Sequence, residues 1–172
     1  MKYTQFNLAV PQDLGLHGIR TIKRQHCNDQ INGLRVTWSD GHHLDLPSAV
    51  DVSEQINEPR IFLIEGIDPE KFLIFGGEIA FWLNTKGVEL SHLKLFRKNG
   101  LEEYWTTTIV EQPAKLIIIY EAGVLVMDES LKVLLHKPKL INDFFVGFDN
   151  RAIRFVRDHD KEWLMPLDYA SP

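Results

Sequence analysis

Cysteine is almost missing from this chain: Cys27 is the single one in 172 residues. No disulfide can form within the chain, so the fold has to rest on its apolar core, and a reducing compartment is expected. Long hydrophobic runs are lacking too, since even residues 116–120 and 124–127 fall far short of the roughly 18 residues that a spanning helix needs. The opening "MKYTQFNLAV" is too short and too polar for the apolar part of a secretion signal. Together these features predict a soluble, cytoplasmic protein with no membrane contact. Charge of one sign is not in large excess: 19 Lys plus Arg face 24 Asp plus Glu, a net of -5. The halves are alike, with 8 basic and 11 acidic residues up to Lys86 and 11 and 13 beyond it. Nucleic-acid binding calls for a clustered basic surplus, so no nucleic-acid partner is expected. Catalytic signatures are absent as well, with no G-x-S-x-G elbow, H-E-x-x-H pair or G-x-x-x-x-G-K loop.

What the chain does have is 44% hydrophobic residues, enough for a core, arranged with a period near two. "KLIIIYEAGVLVMD", from Lys115 to Asp128, reads as two strands around a Glu-Ala-Gly turn. Adding "ESLKVLLHK" supplies a turn at 128–131 and a third strand near 132–136, which makes a meander. "DFFVGFDNRAIRFVRDHDKEWLMPL" repeats the layout, with "DN" and "RDHD" as turns. Along its middle strand Ala152, Arg154 and Val156 share one face, and Arg151, Ile153, Phe155 and Arg157 the other, an imperfect alternation. "KFLIFGGEIAFWLNTKGVEL" is a further copy. "INGLRVTWSDGHHLDL" is another, with Asn32-Gly33 and Asp40-Gly41 read as its turns. Gly33, Glu78 and Gly123 align at steps of 45 residues, and "SDG", "NTKG", "DESL" and "RDHD" take equivalent turn positions.

From Ile31 to Asp168 this layout resembles the blade repeat of β-propellers, in particular quinoprotein-type blades with a strand ending in Asp or Asn and a later strand carrying Trp. The resemblance implies tandem small sheets. It carries over no binding residues, so no cofactor is expected. The fold expected is all-β, with tandem antiparallel meanders forming a sheet, a sandwich or a compact propeller-like arrangement, and at most one or two short helices. One domain is expected over 1–172, with loops at 7–18 and a loop or short helix at 47–59, where prolines bound the segment.

Few residues suggest chemistry. In "DGHHLD", His42, His43 and Asp45 are the ligand types of zinc or iron sites, but neighbours on a strand point to opposite faces, and a polar hairpin turn is the plainer reading. No metal is expected. His26 beside Cys27 pairs a base with a thiol, although adjacent residues rarely reach catalytic geometry. Carboxylate pairs at Glu102-Glu103, Asp128-Glu129 and Asp158-Asp160 read as solvated turns or strand ends. Binding offers more. Tyr104 and Trp105 on a Thr-rich strand, together with Arg154, Asp158 and Asp160, have the aromatic and charged composition of contact surfaces.

With no catalytic set evident, the expectation is a non-catalytic module that binds another protein, of the acidic inhibitor or immunity type, whose charge would steer it to a basic partner. Two alternatives stand beside it: a small hydrolase using Cys27 or a His and carboxylate cluster, and a structural subunit of a larger β assembly joined through an edge strand. Oligomeric state is open at this point.

Overall fold

The computed structural model describes residues 2–7, 18–27, 31–47, 60–76, 79–96, 108–112, 114–140, 142–149, 151–157 and 161–167. They form fifteen strands: β1 (Lys2–Asn7), β2 (Ile19–Cys27), β3 (Ile31–Trp38), β4 (His43–Pro47), β5 (Arg60–Glu65), β6 (Lys71–Gly76), β7 (Ile79–Asn84), β8 (Glu89–Lys94), β9 (Thr108–Gln112), β10 (Lys115–Tyr120), β11 (Gly123–Asp128), β12 (Val133–Pro138), β13 (Asp143–Asp149), β14 (Ala152–Arg157) and β15 (Lys161–Pro166). The expected all-β class is therefore what the chain adopts, with no α-helix among the described residues.

Four antiparallel sheets result, and none closes into a barrel. The chain divides into two compact units, Met1–Trp105 and Thr106–Pro172. The first holds a five-stranded sheet in the order β1-β5-β6-β7-β8 and a three-stranded β2-β3-β4 meander. The second holds β12-β11-β10-β9 and β13-β14-β15. Only β1 departs from meander order, pairing with β5 from Lys2↔Glu65 to Asn7↔Arg60.

Each unit has its own core between two sheets. In the first, Leu34, Val36 and Trp38 of β3 meet Leu63, Phe72, Ile74 and Phe81. In the second, Ile117, Ile119, Val124 and Val126 meet Ile153, Phe155 and Met165. Burying each such side chain contributes about 1.5 to 3 kcal/mol. The opposite faces of β6 and β10 are buried as well: Leu73, Phe75, Leu116 and Ile118 are at most 1% exposed. Burial on both faces is why these strands read as unbroken apolar runs rather than alternations.

Three hairpin turns share one construction. Trp38 N–H donates to His42 O at 2.9 Å and Gly41 N–H to Trp38 O at 3.0 Å. Asn84 with Val88 and Gly87, and Asp128 with Lys132 and Leu131, repeat that pair of bonds at 3.0 Å. The fourth residue of each turn is in the left-handed region, with φ of 91° at Gly41, 76° at Gly87 and 62° at Leu131. These residues fall 46 and 44 residues apart in the sequence, so "SDG", "NTKG" and "DESL" are equivalent turns as read. Asn84 Oδ1 and Asp128 Oδ1 add side-chain acceptors for turn N–H groups.

One turn was misplaced by the sequence reading. Asn32 and Gly33 lie inside β3, paired with His26 and Gln25, and the reversal falls between Cys27 and Ile31. A nine-residue β2 carries the ladder through the dipeptide, and that extended pairing outweighs the local turn preference of Asn-Gly. Segments 8–17 and 48–59, expected as loops or a short helix, lie outside the described residues.

Candidate binding surface

The β13-β14-β15 sheet has two unlike faces. Strand alternation turns Phe145, Phe148, Ile153, Phe155, Trp163 and Met165 inward onto the second core. The register aligns Phe144↔Val156↔Glu162 and Gly147↔Arg154↔Leu164 on the other side. That outward face is apolar where water would favour polar groups: Phe144 is 61% exposed, Leu164 49% and Val146 45%. Arg154 lies at its middle. Its Nη2 would sit 4.0 Å from a Cβ built on Gly147, so the guanidinium extends across a position without a side chain. Its Nε is buried and has no hydrogen-bond partner among the described residues. Alternation puts Phe144 and Val146 outward together, and the register shift between Phe145 and Gly147 returns Phe148 to the inner face beside Phe145. By contrast, the outward face of β3 and β4 carries Arg35 and Asp45, joined by a two-point ion pair at 2.7 and 2.8 Å.

An ion pair fastens β13 to β14 within this sheet, and Lys139 ties the start of β13 to the β10–β11 turn. The Asp143 side chain is fully buried and accepts from Arg157 Nε at 2.6 Å, Arg157 Nη2 at 3.1 Å and Leu140 N–H at 2.9 Å. Burial pushes its carboxyl up, but the Arg157 and Leu140 bonds outweigh this and hold it below the usual carboxylate range. The Trp163 indole N–H faces the same carboxylate without reaching hydrogen-bond geometry, and its ring stacks on Phe155 at 5.0 Å. Lys139 Nζ donates to three backbone carbonyls, of Glu121 at 2.6 Å, Asp143 at 3.1 Å and Leu140 at 3.2 Å. Burial lowers the Lys139 pKa, against the opposing charges of Asp143 and Glu121. These bonds fix the platform on which Phe144, Arg154 and Leu164 are displayed.

The other residues singled out in the sequence do not gather with Arg154. Tyr104, Trp105, Asp158 and Asp160 lie outside the described residues. His26 and Cys27 end β2, and their side chains also lie outside what is described. His42 and His43 are separated, as strand geometry anticipates. The His42 ring stacks on Trp38, with centroids 4.5 Å apart and planes at 10°, and its Nδ1 donates to Asp40 Oδ1. Asp45 belongs to Arg35. No group of three or more metal-ligating side chains occurs among the described residues. The outward apolar residues Phe144, Val146 and Leu164 were missed, because both faces of these strands carry apolar residues and alternation alone does not say which face is covered. The signal that was available is that Phe144 precedes Phe145, and two neighbours on one strand cannot both face the core.

No family model, curated protein or solved structure matches the chain. The class that fold and surface define is a β-meander protein with one apolar, arginine-centred sheet face.

Proposed function

We propose that this protein is a binding module that acts by docking another protein on the outward face of β13-β14-β15. The observation that carries this reading is the exposed trio Phe144, Val146 and Leu164 around a half-buried Arg154 with an unsatisfied Nε. Aromatic and arginine side chains lead interface energetics, and an apolar centre that excludes water strengthens a charged hydrogen bond made within it. A carboxylate or a backbone carbonyl of the partner would meet Arg154, with apolar side chains closing over Phe144 and Leu164. The net charge of -5 supports a partner that is basic overall, the profile of an acidic inhibitor or immunity-type protein, because long-range steering depends on total charge and docking on the local patch.

The test is affinity capture of the partner from the native host, followed by binding measurements on variants. Phe144→Ala with Leu164→Ala, and separately Arg154→Ala, should each weaken binding at least about 10-fold, which is about 1.4 kcal/mol. Arg20→Ala, at an exposed position of β2, should bind as the native protein does. Undiminished binding by both face variants would reject this surface.

A further inference from the structure

The first unit contains a cleft of about 540 Å³ lined by Gly18, Trp38, Ser39, Asp40, His42, Thr85 and Lys86. Its size is within the range of small-molecule sites. It lies where the β3–β4 turn faces the β7–β8 turn. Gly87 leaves room for this approach: a Cβ there would collide with His42 Nε2 and come within 3.1 Å of the Trp38 ring. The floor is aromatic, with His42 stacked on the buried Trp38 and still 40% exposed itself.

Around this floor the scaffold uses one side of each polar group and leaves the other unengaged. Asp40 Oδ1 accepts both the backbone N–H and the Nδ1–H of His42, and its Oδ2 makes no bond among the described residues. Since a carboxylate only accepts, the His42 Nδ1 carries the proton and Nε2 keeps a lone pair when the ring is neutral. The Lys86 backbone N–H is held by Asn84 Oδ1, while its ammonium has no ion pair among the described residues. The Trp38 indole N–H is buried and has no hydrogen-bond partner among the described residues. It belongs to the ring edge on the Gly18 side of the cleft, where Trp38 Cδ1 lies 3.6 Å from a Cβ built on Gly18. Asp40 and Lys86 thus rim one cleft with opposite charges that do not pair with each other, above a stacked aromatic floor.

We propose that this cleft binds a small planar heteroaromatic bearing an exocyclic amine and a separate anionic group, the chemistry of an amino-bearing mononucleotide. The base stacks on the outer face of His42, extending the Trp38–His42 pair, since every base offers a π-face to an aromatic platform. Its amine donates to Asp40 Oδ2. Its phosphate is met by the Lys86 ammonium, a compact charge suited to that role. The Ser39 hydroxyl donates its proton to Gly18 O at 3.0 Å, so toward a ligand it can only accept. The site is independent of the protein-docking face and stands or falls separately from it.

The experiment is titration of the full chain with AMP, adenosine, CMP and UMP, followed by calorimetry and by the Trp38 indole N–H resonance. CMP and UMP differ at the amine, AMP and adenosine at the phosphate. CMP should bind at least about 5-fold more tightly than UMP, and AMP at least about 5-fold more tightly than adenosine, with both favoured ligands shifting the Trp38 signal. Lys86→Ala should bring AMP down to the affinity of adenosine while leaving adenosine unchanged. This exposed side chain makes no hydrogen bond or ion pair among the described residues, so the variant should fold. No measurable binding of any of the four, equal binding of CMP and UMP, or a Trp38 resonance that stays in place would each overturn the proposal.

Discussion

Alanine at Gly87 should cost much more stability than alanine at Gly41, although both positions hold left-handed backbone in equivalent turns. The shared part is conformational: an L side chain in that region costs about 1 to 2 kcal/mol. Gly41 would add nothing to this, since a Cβ there meets no atom within 4 Å. At Gly87 the new methyl would run into His42 Nε2 and press to 3.1 Å on two atoms of Trp38. His42 can swing outward, losing its stack and its Asp40 bond, but Trp38 is only 3% exposed and its ring is fixed in the core. Overpacking against such a ring costs about 1 to 3 kcal/mol. The expected losses are therefore about 1 to 2 kcal/mol for Gly41→Ala and about 2 to 5 for Gly87→Ala. Urea melts followed by tryptophan fluorescence measure both. With a slope of about 1 to 3 kcal/mol per molar urea, the midpoints should differ by about 1 M. Coincident midpoints would refute the claim that the two turns press together at Gly87.

Asp143→Asn should destabilise the protein by about 2 to 4 kcal/mol in the same melts, because it breaks a two-point bond to Arg157 at a fully buried carboxylate. The folded pKa of Asp143 is depressed, so its contribution is present above the unfolded value of about 3.9 and disappears as pH falls through the folded value. An acid titration of stability should accordingly steepen below about pH 4 in the native protein and less so in Asp143→Asn. Burial lowers the folded pKa of His136, so its neutral form is favoured, and that contribution is lost as pH falls below about 6.5 and through the folded value. Tyr120→Phe removes the 2.8 Å bond between the fully buried Tyr120 hydroxyl and His136 Nε2 and should cost about 0.5 to 1.5 kcal/mol by thermal or urea denaturation.

The amino-acid sequence by itself determined the strands, since a period of two and short β-branched blocks such as "KLIIIY" leave few alternatives to antiparallel pairing. It also determined three turns, because Gly41 and Gly87 supply left-handed backbone cheaply and Asn84 and Asp128 supply acceptors for turn amides. Leu131 adopts the same conformation without glycine's freedom, held there by its burial at 3% exposure and by the Asp128 bonds. Only the tertiary structure decided the rest, because it depends on which distant backbones pair and which faces meet. It placed β1 beside β5 across more than fifty intervening residues, and it ran β3 through Asn32-Gly33 by pairing it along a long β2. It also decided which side of each strand met water. Leu116 and Phe144 sit in equally apolar stretches, yet one is fully buried and the other 61% exposed. Local spacing records that a strand has two faces, while the cover over each face comes from residues far away in the chain.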